Sequence, residues 1–258
     1  MNAETMVQMV GADLLKLRKK RGTLIWALVL AVGSQVVFFV VGALQHSSDP
    51  LHNAPVGGVN GLRHGLDLLC FFVGPLAAVL IGTEAGAGDS SAGVFRDLVV
   101  TGRSRLALFA SRVPAALAMT VPLVTLGFAA MCAGIFLFAG SEPLPAVSTL
   151  AWCYAFALLA NGLLCLVAVG LSSLLNSKPA TITALIGWQL VLSPVIIGVS
   201  SLGATRELLL DAPLLHVDPV RAGHPEIAMS LIAVLVTVIA WPLVAATLGA
   251  WRTRTMDA

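Results

Sequence analysis

Charged residues are scarce in this chain of 258 residues, because Asp, Glu, Lys and Arg together occupy only 11% of its positions. Soluble domains carry about 25% charged residues. Hydrophobic residues make up 58% of the chain, and the mean hydropathy is +0.93. Disordered chains combine high charge with few aliphatic residues, so this composition excludes them as well. The composition therefore predicts a protein embedded in a lipid bilayer.

Several kinds of chemistry have no residues to carry them. No Lys follows a Gly, so the phosphate-binding loop G-x-x-x-x-G-K-[ST] is absent, and we expect Gly82, Gly86 and Gly88 to give flexibility where a span leaves the bilayer. The cysteines fall inside apolar blocks, where we expect no disulfides: Cys70, Cys132, Cys153 and Cys165. The histidines match no compact ligand spacing: His46, His52, His64, His216 and His224. We predict no catalytic residue, no metal site and no enzymatic activity for this chain alone.

Long gaps between charged residues predict the membrane topology. A hydrocarbon core of about 30 Å needs roughly 20 helical residues. The predicted spans lie near residues 23–44, 62–83, 113–139, 147–171, 180–203 and 227–251. Continuous apolar runs such as residues 24–30 argue against a β-barrel, whose strands alternate, and the first block is too long for a cleaved signal peptide. We expect one all-α transmembrane domain over residues 1–258 with six membrane-spanning helices.

Basic residues beside the spans predict the orientation. If the N-terminus is cytoplasmic, only Arg63, Arg206 and Arg221, out of 15 Lys and Arg, face outward. This distribution follows the positive-inside rule, so we expect both termini in the cytoplasm and the chain in the plasma (inner) membrane. The inward-facing cations lie close to the membrane ends, where they suit anionic lipid headgroups better than nucleic acid.

The N-terminal segment and the loop after the second span have helical patterns of their own. Apolar residues at Val7, Val10, Leu14 and Leu17 form one stripe, so residues 1–22 are predicted as an amphipathic interfacial helix or as a plain basic anchor for the first span. About 30 residues follow the second span, many more than a simple connection needs. Within them residues 94–99 have helical spacing, and Ser104 can cap the next helix. This short cytoplasmic helix would lie on the membrane or face a partner.

Polar residues near and within the other spans leave alternatives open. The outer loop, residues 204–226, contains five leucines, so we expect it to dip into the headgroup region or to cap the outer mouth of the spans. Inside the spans, Gln35, Asn161 and Gln189 would either line a substrate path or form hydrogen bonds between helices. Trp188 and Trp241 lie deep enough that we expect them to pack between helices.

Two segments resemble the permease subunits of the type-2 ABC exporter family. Residues 12–20 are similar to that family's amphipathic E-L-x-K-L-x-R segment, with Asp13 in place of the usual Glu. Residues 84–112 resemble its loop E-x-x-x-G-T-x-R-x-L-L…G-x-S-R…x-K, with Val94 in place of Thr and Arg112 in place of Lys.

The resemblance implies six spans, an interfacial helix and a coupling helix between the second and third spans. It also implies a homodimer or heterodimer of permeases, with two separate P-loop ATPase subunits that bind the ATP and Mg. The residues that it implies for ATPase coupling are Glu84, Phe95, Arg96, Asp97, Leu98, Gly102, Arg103 and Arg105. Similarity to lantibiotic-immunity and antibiotic-efflux permeases implies an amphiphilic peptide, a drug or a lipid as cargo.

Two other functions fit the same layout. A membrane anchor or scaffold could recruit a cytoplasmic protein through the same inner loop without moving any cargo. An ion-driven secondary transporter is disfavoured, because such proteins place ionisable residues near the membrane midplane and have repeated halves with broken helices. The predicted spans show neither feature.

Overall fold

The computed structural model describes residues 3–93, 104–221 and 227–255. Within these ranges every regular element is a helix, beginning with an N-terminal helix at Ala3–Lys19. Six further helices are long and apolar enough to cross a membrane, which confirms the all-helical prediction and the number of spans. Spans 1 to 6 are Arg21–Ser48, Gly58–Ser91, Arg105–Leu137, Val147–Leu175, Lys178–Gly198 and Leu231–Thr255.

Spans 2 and 3 extend well into the loop predicted to join them. The sequence criterion ended span 2 before Glu84, the first charged residue, but the helix continues to Ser91 because its acidic side chains find partners inside the bundle. Span 3 begins at Arg105, and Ser104 caps it by accepting a hydrogen bond from the Ala107 amide at 3.2 Å, as predicted. The connection is thereby reduced to residues 92–104, and the helix predicted over 94–99 lies outside the described residues.

Three spans contain a wide π-helical turn, at Val29–Gly33, Leu68–Phe72 and Trp188–Leu192. The second and third turns come just before Pro75 and Pro194. A proline has no amide hydrogen, and its ring collides with the carbonyl four residues earlier, so the preceding turn widens to avoid the clash. In span 2 the Val73 amide consequently bonds to the Leu68 carbonyl at 2.9 Å, five residues back.

Glycines lie at close contacts between helices, which corrects the flexible role predicted for Gly82 and Gly86. A Cβ at Gly82 would lie 2.5 Å from the Cys165 carbonyl oxygen, and one at Gly86 would lie 2.5 Å from that of Val169. Both contacts join span 2 to span 4. On the other side of span 4, a Cβ at Gly249 of span 6 would lie 2.6 Å from the carbonyl oxygen of Gly170. Small residues therefore allow the backbones to approach closely.

Burial divides the spans into a centre and a periphery. In the most apolar window of each helix, 72% of residues are buried in span 2 and 61% in span 4, compared with 22% in span 1, 28% in span 5 and 11% in span 6. Spans 2 and 4 thus form the centre, and span 3 packs beside them. Spans 1, 5 and 6 form the periphery and expose long apolar surfaces on the outside of the bundle.

The segment after span 5 folds back against the bundle. Residues Ser200–Leu208 form 3₁₀ turns that are interrupted by a kink at Gly203, and they lead into a short helix at Asp211–Val217, which we name the capping helix. Leu209, Leu210 and Leu214 are buried, and the last two pack in the main core. This packing favours the alternative that the leucine-rich loop covers one end of the bundle, and that this end faces outward stays a prediction. The rings of Trp188 and Trp241 also meet between helices as predicted, with centroids 6.0 Å apart.

Candidate functional site

Seven charged side chains gather at the end of the bundle where spans 1, 3 and 5 begin. We name this group the basic-end cluster: Asp13, Lys16, Lys20, Glu84, Asp89, Arg112 and Lys178. The first two lie on the N-terminal helix, Lys20 precedes span 1, and the acids Glu84 and Asp89 lie in the last turns of span 2. The cluster therefore joins the N-terminal helix to the ends of four spans.

Glu84 is one of the two acids at the centre of this cluster. Its side chain is only 9% exposed, and both carboxylate oxygens accept hydrogen bonds from Lys178 Nζ at 2.8 Å. Lys20 Nζ lies farther away, at 3.6 Å, and is half exposed. Because a buried carboxylate needs a paired charge and hydrogen bonds to remain ionised, Lys178 is the partner that fixes Glu84.

Asp13 and Asp89 form the second half of the cluster. Ser111 Oγ donates to Asp13 at 2.6 Å, and Lys16 Nζ donates to Asp13 at 3.0 Å and to Asp89 at 3.2 Å. The buried Arg112 donates to the Gly86 carbonyl at 2.8 Å and to Asp89 at 3.4 Å. These bonds tie the N-terminal helix to spans 2 and 3.

A cavity of about 280 Å³ lies within the cluster, and its wall carries charges of both signs. Lys16, Lys20 and Arg112 face it together with the three acids, so the local charges nearly balance. The arrangement places the Ser111 hydroxyl against the Asp13 carboxylate and three basic side chains against the acids. It can hold helices together through charge, and a change in the position of one helix would have to rearrange the partners on the others.

The structure places two of the eight residues implied for ATPase coupling. The Glu84 carboxylate points into the cluster, so it can act on a partner only through the helices that it joins. Arg105 is half-buried at the start of span 3 and donates to the Arg254 carbonyl of span 6 at 3.3 Å. The other six lie outside the described residues: Phe95, Arg96, Asp97, Leu98, Gly102 and Arg103.

The polar residues inside the spans are not assembled along one path. Gln35 donates to the Gly65 carbonyl at 3.0 Å, and Asn161 donates to the Leu69 carbonyl at 3.1 Å. Both carbonyls belong to span 2, and the contact with Leu69 falls within its wide turn. These bonds favour the interhelical role for Gln35 and Asn161. Gln189 has a different kind of partner, the carboxylate of Asp211.

Asp211 is one of two buried aspartates that the structure describes after span 5, with Asp218, and sequence reasoning missed its burial. Gln189 Nε2 donates to Asp211 Oδ1 at 3.1 Å, and Ser193 Oγ donates to Oδ2. Burial raises the pKa of Asp211 above its usual value, although the two hydrogen bonds act in the opposite direction. The available signal was an aspartate in a strongly apolar run, residues 208–215, where a solvated loop would not place five leucines.

No group of three His, Cys, Asp or Glu side chains within residues 3–93, 104–221 and 227–255 is arranged to hold a metal ion. All four cysteines are free thiols, and three of them are buried.

No protein-family model matches the chain, and no curated protein matches it either. The functional interpretation consequently depends on the geometry of the two polar sites, the basic-end cluster and the surroundings of Asp211.

Proposed function

We propose that this chain is the permease subunit of an ATP-driven exporter of the type-2 ABC kind, energised by a separate P-loop ATPase. One observation carries the proposal. Residues 12–20 and 84–112, the two segments that resemble this family, supply six of the seven members of the basic-end cluster, all except Lys178. Segments that are far apart in sequence thus form one charged junction, as a force-transmitting connection requires.

The proposed mechanism begins at residues 92–104, which would dock on the ATPase. ATP and Mg would be bound by that partner, whose two copies close on nucleotide binding. Movement of residues 92–104 would pass directly to spans 2 and 3. The Glu84 to Lys178 pair would carry it to span 5, and the Asp13 to Ser111 bond would carry it to the N-terminal helix. Cargo that favours one conformation must reciprocally bias nucleotide affinity.

Several finer features belong to the same proposal. The protein would lie in the plasma (inner) membrane with both termini in the cytoplasm. The N-terminal helix would lie on the cytoplasmic surface of that membrane. Residues 94–99 would form the coupling helix. Two permease subunits, identical or homologous, would enclose the path between them, and the apolar faces that spans 1, 5 and 6 leave exposed would supply the contact. The cargo would be an amphiphilic peptide, drug or lipid.

Co-purification with an ATPase tests the docking surface. The proposal predicts that a neighbouring reading frame encodes a P-loop ATPase, which would be co-expressed with the wild-type chain and with the double variant Arg96→Ala/Asp97→Ala. The double variant should retain much less ATPase. A matched control is Arg206→Ala/Glu207→Ala, which removes an adjacent basic and acidic pair from the opposite end of the bundle. Equal ATPase yield from both double variants would contradict the proposed docking surface.

Uphill transport separates the exporter from a membrane anchor or scaffold. Vesicles that contain the chain and its ATPase should accumulate an amphiphilic cargo only when ATP is hydrolysed. A scaffold would retain the ATPase in the membrane but would move no cargo under the same conditions.

Asp211 favours one second candidate, an ion-driven transporter. Ion-driven transporters place ionisable residues near the membrane midplane, and the sequence of the spans contains none there. In the structure, however, the capping helix brings the buried carboxyl group of Asp211 against Gln189 and Ser193 of span 5. Transport by the chain alone under a proton or sodium gradient, without ATPase, would support this candidate and exclude the exporter.

A further inference from the structure

A second cavity lies at the opposite end of the bundle, between span 2, span 5 and the capping helix. Its volume is about 190 Å³, roughly the share of six liquid water molecules. We name it the Asp211 cavity, and its lining is mainly apolar. Its lining includes Phe71, Phe72, Gln189, Ile197, Gly198 and Asp211. Phe72 and Gly198 are exposed on the surface of the chain, so the cavity opens sideways between spans 2 and 5.

Among the residues that line this cavity, Asp211 is the one with an acidic side chain. Its two hydrogen bonds come from neutral donors, an amide and a hydroxyl, which satisfy its oxygens but bring no positive charge. Within residues 3–93, 104–221 and 227–255, no basic side chain forms an ion pair with it. Taking an isolated carboxylate out of water is costly unless a cation compensates it.

Two basic side chains of this region, Arg206 and His216, pair with backbone carbonyls. Arg206, which precedes the capping helix, donates to the carbonyls of Ile197 and Gly203 at 3.1 and 3.3 Å. His216 of the capping helix pairs through Nδ1 with the Ile227 carbonyl at 3.1 Å. The lining of the cavity combines the Asp211 carboxyl group with the side chains of Phe71 and Phe72, and among the residues that the structure describes it contains no Lys, Arg or His. That combination recognises ammonium groups, because the carboxylate attracts the charge and ring faces bind cations.

We propose that the Asp211 cavity binds the ammonium head of a cationic amphiphile, with the apolar body of the ligand leaving between spans 2 and 5. The site holds only a head group, because ligand pockets for whole drug-sized molecules occupy about 300–1,000 Å³. The bound molecule is cargo if the proposed transport function is correct, and that part of the inference rests on it. Binding itself requires neither an ATPase nor transport.

The test uses the purified full chain in nanodiscs of phosphatidylglycerol, a lipid without an ammonium group. Radiolabelled benzyltrimethylammonium is the probe, and neopentylbenzene, which has carbon in place of nitrogen, is its uncharged counterpart. The wild-type chain should bind the probe saturably in mildly alkaline buffer, beyond the binding of empty nanodiscs. Asp211→Asn should weaken this binding by at least about tenfold, which corresponds to about 1.4 kcal/mol. Neopentylbenzene should compete poorly.

Two further variants keep the test decisive if Asp211→Asn fails to fold. Gly198→Phe places a ring at the mouth of the cavity, where an added Cβ meets no atom within 4 Å, and it should block the probe. Gly187→Phe introduces the same ring on the same span, also with no atom within 4 Å of its Cβ, but away from the cavity lining, and it should bind normally. Asp49→Asn, which removes an acid outside the cavity lining, should also leave binding unchanged.

Three results would overturn the inference: no saturable binding to the wild-type chain, equal competition by neopentylbenzene, or normal binding to both Asp211→Asn and Gly198→Phe. Repeating the assay in phosphatidylcholine nanodiscs distinguishes the natural sources of the ammonium group. Loss of probe binding there supports the site and assigns it to a lipid headgroup, whereas unchanged binding supports the site and assigns it to a free cationic amphiphile. The proposed transport function has its own ATP-dependent test, so either hypothesis can fail alone.

Discussion

Replacing Glu84 by Gln should loosen the basic-end cluster, and most of the loss should come from one of its two partners. Gln keeps the size of the side chain but removes the charge that faces Lys178 and Lys20. Lys178 lies 2.8 Å from the carboxylate with its side chain 24% exposed, whereas Lys20 lies at 3.6 Å with its side chain 51% exposed. The two pairs share one acid and differ in burial and distance.

The burial of each ion pair determines the coupling energy that we expect for it. Breaking a buried ion pair costs about 3–5 kcal/mol, whereas an exposed pair contributes about 0–1 kcal/mol. Glu84 is nearly buried and Lys178 is partly so, which places this pair between the two limits, and we expect a coupling energy of about 2 kcal/mol. The pair with Lys20 is open to solvent, and its coupling should not exceed about 0.5 kcal/mol.

Double-mutant cycles measure these couplings directly. Glu84→Gln, Lys178→Met and the double variant form one cycle, and Lys20→Met replaces Lys178→Met in the matched cycle. Unfolding by denaturing detergent in mixed micelles, followed by circular dichroism and Trp fluorescence, gives the free energies. Coupling of similar size in both cycles, or none with Lys178, would refute the assignment of Lys178 as the partner that fixes Glu84.

Three further outcomes are expected. Gly82→Ala should destabilise the bundle by about 1–3 kcal/mol, because its Cβ would press against the backbone of span 4, whereas Gly187→Ala has free space and should be neutral or stabilising in the same unfolding assay. Asn161→Leu should cost about 0.6–1.7 kcal/mol through loss of the bond to the Leu69 carbonyl, and transport should survive, whereas loss of transport at unchanged stability would restore the substrate-path role. Because burial raises the folded-state pKa of Asp211 above the unfolded value of about 3.8, its folded form binds the proton more tightly. Stability should therefore fall as pH rises from that value through the folded pKa, and Asp211→Asn should remove this part of the pH dependence, measured as unfolding free energy against pH.

The number of spans was predictable because the bilayer imposes a length on every uncharged helix. The end of span 2 was not predictable from the sequence, since a criterion based on uncharged residues stops the helix before Glu84. Hydrogen bonding along a helix does not end at a charge, and the carboxylate is tolerated because Lys178 arrives from span 5. A single sequence gives no distance between residues 84 and 178, so the pairing could not be read from it. Ser104 was predictable because a cap depends only on residues three positions away.

Asp211 and the glycines of span 2 show the same limit. Gly82 is equally compatible with a flexible joint and with a close helix contact, and only the position of span 4 decides between them. The apolar run around Asp211 predicted correctly that its segment packs against the spans. How deeply the Asp211 carboxyl group is buried depends on where the capping helix packs along span 5. The spacing of residues in the sequence does not contain that information.

The wide turns divide three of the six spans into shorter rods. Spans 1, 2 and 5 each change pitch within their length, whereas spans 3, 4 and 6 continue as single α-helices from end to end. A turn of larger radius is a joint at which one rod can pivot while its continuation stays seated. In span 2 this joint itself lines the Asp211 cavity through Phe71 and Phe72, so a pivot between the half that holds Glu84 and the other half would change the wall of that cavity.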